Sequence, residues 1–166
     1  MEYEIIEMKK EQWEQVRDIY LEGIQTGIAT FQNSAPSFEE WDKGHLKICR
    51  FVAVSNGKVL GWIALSPTSS RPVYSGVVEV SIYIGKDFRG SGIGKALINK
   101  IIKEAEKNGL WTLYSSIIRE NKASIQLHKK CGFREIGIRE KIAKLQNGKW
   151  SDTVLMEYRS KVVGID

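Results

Sequence analysis

The chain has 166 residues, 42% hydrophobic and 27% charged, with a formal net charge of +5. A chain of this length buries about 70% of its unfolded surface around one core, so residues 1–166 are expected to form a single domain without a disulfide or metal staple. Three prolines and dispersed glycines exclude collagen-like and low-complexity classes, and no apolar run approaches the roughly 18 residues of a membrane helix.

The first segment, Glu4–Glu7, reads as a short strand. Residues 12–25 follow with Trp13, Val16, Tyr20 and Ile24 at steps of three and four, one face of a helix. After the loop TGIATFQNSA, Pro36-Ser37 opens a second helix. There Ser37 and Glu40 have capping-box spacing, and Phe38, Trp41, His45 and Ile48 would share a face. Two apolar runs, 50–55 and 58–65, flank Asn56-Gly57. That pair suits a type I′ turn, so the runs form a hairpin. Next come a polar loop over 66–76 and the β-branched strand VVEVSIYI, Val77–Ile84. A glycine-rich turn then leads into a helix carrying Ile93, Leu97, Ile101, Ile102 and Ala105 on one face. Asn108-Gly109 ends that helix, and 110–116 is another strand. Asn121 caps a short helix that stops at Gly132. Residues 133–143 and 150–159 form a last hairpin about Asn147-Gly148. The order β-α-α-β-β-β-α-β-α-β-β predicts an α/β (α+β) domain with a mixed central sheet.

The remaining composition narrows the chemistry. Cys49 and Cys131 stand far apart without CxxC spacing, which reads as two free thiols. His45 and His128 are the only histidines, poor material for a metal site, so no metal is expected. Basic residues occur only as pairs such as Lys9-Lys10 and Lys129-Lys130, so no nucleic-acid partner is expected. The N-terminus MEYEIIEMKK has early acids and no long apolar stretch. The expected location is the cytoplasm, with no membrane partner.

The strand–turn–helix segment VVEVSIYIGKDFRGSGIGKALI is the most informative. A helix start presents unpaired N–H groups and the positive end of the helix dipole, which suits phosphate. The nucleotide P-loop fails, because Lys95 is followed by Ala96 and Arg89 stands where the first glycine belongs. The dinucleotide fingerprint GxGxxG fails as well, with Lys95 or Leu97 at its third glycine. What fits is R-x-x-G-x-G, with Arg89, Gly92 and Gly94.

R-x-x-G-x-G after a β-branched strand resembles the acyl-coenzyme A pyrophosphate loop of the GNAT superfamily of N-acetyltransferases. NKASIQLHKKCGF, residues 121–133, resembles that superfamily's second signature. TGIATFQ, VEVSIYI, His128 and KWSDTVLME are similar to the phosphinothricin and methionine sulfoximine acetyltransferase subgroup. The resemblance spans about residues 3–160 and implies the GNAT fold, with helices on both faces of the sheet. It also implies an acetyl-CoA cosubstrate, a small-molecule amine acceptor and a homodimer. It places the pantetheine against Ile82, Tyr83 and Ile84, and the pyrophosphate on the loop of Arg89, Gly90, Ser91, Gly92, Ile93, Gly94 and Lys95. Asn121 either caps its helix, meets the cofactor, or does both.

Glu79 is the only acid in its strand. The period-2 phase sets it with Val77, Ser81 and Tyr83, opposite the core phase Val78, Val80, Ile82 and Ile84. It either faces solvent or, as the subgroup implies, serves as general base. His128 stands where many relatives carry Tyr; it is either the general acid or a packed helix histidine, and Tyr83 is the substitute acid. For the acceptor, the resemblance points to Phe31 in the loop 28–32 and to Arg71, Val73 and Tyr74 in the loop 70–74, with Arg71 as carboxylate clamp. Trp13, Trp62 and Trp111 are assigned to the core. Ser151 stands where the subgroup has a late histidine, a departure that bears on phosphinothricin as acceptor. The expected activity is acetyl transfer to a small amino-acid-like amine. A protein N-terminal or lysine acetyltransferase, and a non-catalytic acyl-CoA sensor, are the alternatives.

Overall fold

The computed structural model describes all 166 residues. Seven strands form one sheet: β1 (Glu4–Glu7), β2 (Phe51–Ser55), β3 (Lys58–Pro67), β4 (Val77–Ile84), β5 (Thr112–Ile118), β6 (Arg134–Lys144) and β7 (Trp150–Arg159). Their spatial order is β1-β2-β3-β4-β5-β7-β6. Every neighbouring pair is antiparallel except β4 and β5. Parallel neighbours need a crossover, and α3 (Ile93–Lys107) supplies it. The other helices are α1 (Trp13–Gln25), α2 (Phe38–Gly44) and α4 (Lys122–Lys130).

The sheet is covered on both faces, which is why β3 reads as a nearly unbroken apolar run. On one face, α3 and α4 bury a cluster that includes Leu60, Ile63, Val78, Leu97, Ile98, Ile101 and Met156. On the other, α1 and α2 close a smaller cluster with Val16, Ile19, Trp41, Val52, Trp62 and Ala64. No helix is long and apolar enough to cross a membrane.

The turn chemistry follows the residues. Asn56 and Gly57 take φ of 49° and 77°, the two positive angles of a type I′ turn. The second hairpin instead closes with Gly148 N–H donating to Leu145 O at 2.9 Å and Gly148 at φ 83°, a turn followed by a left-handed glycine. Strand β5 begins two residues later than the sequence suggests. Leu110 is still tied to the end of α3: Leu110 N–H donates to Ala105 O and Gly109 N–H to Glu106 O, a Schellman cap around Gly109 at φ 76°.

Helix α2 also departs from expectation. It stops at Gly44, a poor helix residue, and His45 is already extended. Leu46 N–H donates to Leu65 O at 2.8 Å, which pulls the chain onto β3, so Ile48 is exposed instead of sharing the helical face. His45 still stacks on Trp41, with ring centroids 4.3 Å apart. The expected capping box is half formed. Ser37 Oγ accepts from Glu40 N–H at 3.2 Å, but the Glu40 carboxylate accepts from the Ser37 hydroxyl and not from its backbone.

Candidate active site

Strands β4 and β5 are paired only at Val77, Val78 and Glu79, opposite Thr112, Leu113 and Tyr114. Beyond Glu79 they part, and β4 from Val80 to Ile84 stays paired with β3 but has no partner on its β5 side. The gap opens into a cavity of about 470 Å³. Its walls include Glu79, Ile82 and Tyr83 from β4, Ser115 and Ser116 from β5, Asn121 and His128 from α4 and its cap, and Phe31 from the loop after α1. Tyr20, Trp41, His45, Trp62 and Thr153 also line it.

Glu79 is half-buried and faces this cavity, so the solvent-facing alternative is not the one observed. Burial pushes its carboxyl above the ordinary range, and the positive charge of Arg139 pulls partly the other way. Neither a hydrogen bond nor an ion pair holds the side chain. Tyr83, on the same phase of β4, stacks on Trp62 at 5.1 Å and meets Tyr20 edge-on at 4.9 Å. Burial raises its phenol well above the ordinary value. Gly23 makes room for that ring: a Cβ there would stand 2.7 Å from it.

His128 is 2% exposed. Its Nδ1 lies 2.7 Å from Ser124 O, and a carbonyl can only accept, so Nδ1 carries the hydrogen. Nε2, 3.0 Å from Ser115 Oγ, then accepts from that hydroxyl. Burial lowers the imidazole pKa more than the Ser124 bond raises it, so the ring is neutral at rest. His128 is thus packed in the core and also lines the cavity. Asn121 likewise does two things: its side chain accepts from Ser124 N–H at 3.3 Å as the α4 cap, and it lines the cavity.

The glycine-rich loop lies outside the cavity walls, at the C-terminal end of β4. Gly90 and Gly92 take φ of 73° and 88°, and Gly92 caps α3 in the left-handed region. Arg89 donates from Nε to Ile84 O at 3.3 Å, and Ser91 Oγ donates to Phe88 O, which closes the turn. At Gly94 a Cβ would stand 2.8 Å from Leu127, so the missing side chain also lets α3 pack on α4. The Ile93 side chain is 1% exposed in the core, which leaves only its backbone for a ligand. Lys95 is exposed on the first turn of α3. Ile84 packs against the larger cluster.

The acceptor residues divide. Phe31 lines the cavity, whereas Arg71, Val73 and Tyr74 do not. Their loop is exposed, and the Arg71 guanidinium lies 5.7 Å from the Tyr74 ring centre. Trp62, read as core, is both core and cavity wall. Sequence reading missed Ser115, Thr153 and Trp41. The alternation of β5 offered a hint for Ser115, a lone hydroxyl between Leu113 and Ile117 on the core phase. Nothing local marked the others. Three buried polar atoms in the wall have no hydrogen-bond partner: Trp41 Nε1, Trp62 Nε1 and Thr153 Oγ1. Such atoms are rare inside a protein and are ordinarily matched by water or by a bound ligand.

Residues 8–133 match the model of the acetyltransferase (GNAT) family. A phosphinothricin N-acetyltransferase of Alcaligenes faecalis is 32% identical over 146 residues, 84% of this chain and 73% of that protein. An L-methionine sulfoximine/L-methionine sulfone acetyltransferase of Pseudomonas paraeruginosa is 33% identical over 101 residues, 61% of this chain and 58% of that one. The crystal structure of a GNAT superfamily phosphinothricin acetyltransferase from Sinorhizobium meliloti, in complex with acetyl-CoA, superposes with a TM-score of 0.84 at 26% identity, covering 100% of this chain and 97% of that one. The parted strands, the glycine-rich helix start and these likenesses agree: the chain belongs to the GNAT family of acetyltransferases.

Proposed function

We propose that the protein transfers acetyl from acetyl-CoA directly to the amine of a small amino-acid-like acceptor of phosphinothricin or methionine sulfoximine type, with Glu79 as general base. The observation that carries this reading is Glu79 itself: a carboxylate without a partner, of raised pKa, at the point where β4 and β5 separate. A base of raised pKa is better matched to an ammonium proton near neutral pH than an ordinary carboxylate.

In this reading the free edge of β4 at Ile82, Tyr83 and Ile84 receives the pantetheine. The backbone of the 89–95 loop, with Arg89 and Lys95, holds the pyrophosphate. Glu79, through a water, takes one proton from the acceptor ammonium. The nitrogen lone pair forms the C–N bond to the thioester carbon. A second proton leaves that nitrogen as the C–S bond breaks, and it ends on the thiolate. Neutral His128 cannot begin as an acid. It collects this second proton through Ser115 and returns it to the sulfur, with Tyr83 as the alternative donor. Proximity of the two reactants supplies the larger part of the acceleration.

Against a peptide acceptor stands the wall formed by Ala29, Thr30, Phe31 and Gln32. Gln146 Nε2 braces that side by donating to Ile24 O at 2.9 Å. A cytoplasmic homodimer completes the proposal. The exposed Ile136, Ile138, Ile142 and Trp150 of the β6–β7 hairpin support self-association, and sedimentation tests it. The activity is tested by thiol release from acetyl-CoA across amino acids, methionine sulfoximine, phosphinothricin, polyamines and peptides. Turnover restricted to peptides would overturn the reading.

A further inference from the structure

We propose that Arg139, together with the Thr153 hydroxyl, holds the carboxylate of the acceptor, so that the cavity presents a fixed charge couple matched to a zwitterionic α-amino acid. This rests on the small amino-acid-like acceptor proposed above and names the groups that select it.

Arg139 in β6 stands directly opposite Thr153 in β7, and residues opposite each other in an antiparallel pair share a face. Thr153 in turn stands opposite Ile118 of β5. Ile118 and Thr153 both line the cavity, so Arg139, exposed and beside the lining rather than in it, stands on the same sheet face as that wall. The ladder is interrupted immediately after Arg139, between Arg139 and Ala143, and Lys141 takes φ 46° there. Such bulges re-aim side chains beside active sites.

The second observation is that Arg119, Arg134 and Lys144 are engaged, whereas Arg139, like the Lys141 side chain, is not. Arg119 pairs with Asp152 at 2.6 Å, Arg134 with Glu157 at 2.8 Å, and Lys144 lies over Trp150 at 5.1 Å. Arg139 makes no ion pair or hydrogen bond. Its charge nevertheless reaches Glu79, where it is the only charged group that acts. The third observation is Thr153 Oγ1, 4% exposed and without a partner. A buried hydroxyl of that kind is costly unless something hydrogen-bonds to it.

Glu79 in the cavity wall and Arg139 beside it on the same sheet face therefore form a minus–plus couple. An α-amino acid carries the complementary couple, with ammonium and carboxylate on adjacent atoms. Ammonium to Glu79 and carboxylate to Arg139 place the reacting nitrogen at the base. A polyamine offers no group for Arg139. The remaining titratable groups of the wall are Tyr20, Tyr83, His45 and His128. Burial keeps both histidines neutral, so none of the four offers a positive charge to the carboxylate.

The test compares Arg139→Ala, Arg139→Lys, Arg71→Ala and Thr153→Val. Each is assayed at saturating acetyl-CoA with methionine sulfoximine and with its methyl ester, which keeps the amine but lacks the carboxylate charge. A charge-assisted hydrogen bond is worth roughly 10- to 150-fold. Arg139→Ala should raise KM for the acid by about that factor, with the ester and the acetyl-CoA KM unaffected. Arg139→Lys should recover part of the loss. Thr153→Val should raise the same KM a few-fold without lowering the melting temperature. In Arg139→Ala the acidic limb of kcat/KM should also move to higher pH, because burial of Glu79 then acts unopposed. An unchanged KM for the acid, or an equal rise for acid and ester, overturns the proposal, and a selective rise in Arg71→Ala instead would assign the clamp to that loop. If the wild-type protein acetylates no amino acid while accepting other amines, the small-acceptor reading fails, and the charge couple with it.

Discussion

The two ends of the cavity are built differently. At the α4 end the protein completes its own hydrogen bonding: His128 uses both ring nitrogens, Ser115 and Ser124 serve them, and Asn121 caps the helix. At the α1–α2 end Glu79 has no partner, and Trp41, Trp62 and Thr153 keep polar atoms buried and unmatched. The first arrangement is set before any substrate arrives. The second is left unsatisfied, and such groups become valuable when a ligand pairs with them. Preorganised proton handling and unsatisfied acceptor recognition therefore lie on opposite faces of one sheet, joined through the gap between β4 and β5.

The largest expected effect comes from removing the charge at the unsatisfied end. Glu79→Gln should fold, bind acetyl-CoA and lose about 10²–10⁴-fold in turnover at pH 7. The deficit should shrink at high pH, where the amine deprotonates unaided. Stability should move the other way. The folded pKa of Glu79 is raised, so its ionised form opposes folding, in full above that raised pKa and not at all below the unfolded value. Glu79→Gln should therefore melt higher than wild type at pH 7, and the gain should vanish as pH falls below the ordinary carboxylate range. Wild-type activity or a lower melting temperature at pH 7 would break the comparison.

At the satisfied end, Ser115→Ala removes the donor to His128 Nε2. Leaving a buried acceptor unmatched costs about 1–3 kcal/mol, so this variant should melt lower, in contrast to Thr153→Val. Melting curves of the two variants measure the difference directly. The pH dependence sharpens it. His128 and His45 have lowered pKa values, so their contribution to stability is complete above the ordinary histidine value near 6.5 and is lost as pH falls through the folded values. His128→Gln should flatten part of that loss.

The smallest contrast concerns the glycine loop. Gly92→Val places a β-branched side chain at φ 88°, which costs roughly 1–2 kcal/mol of strain, and calorimetry should show weaker acetyl-CoA binding. Gly94→Val should lower the melting temperature through Leu127, because its added carbon meets α4. Equal effects of both variants on melting and binding would show that the two glycines do the same work.

Much of this was legible along the chain, because turns, caps and periodicity are local. Asn56-Gly57 required a type I′ hairpin, Asn121 required a helix start, and the alternation in VVEVSIYI separated Glu79 from the core phase. The family resemblance lay in two short segments that needed no tertiary information. What escaped depends on distance in sequence. Arg139 acts on Glu79 from sixty residues away, and its face follows from the β6–β7 register and a bulge that no local pattern announced. Arg71 looked suitable as a clamp because an arginine in a loop has no period to orient it, and only the fold turned that loop away from the cavity walls. Gly94 fitted a phosphate motif, yet its neighbour Leu127 became visible only once α4 was packed on α3. The sequence by itself determined the elements, the phase of each strand and the family, since neighbouring residues decide those. The tertiary structure decided which charges share a cavity, because electrostatics and burial act through space and are indifferent to chain order.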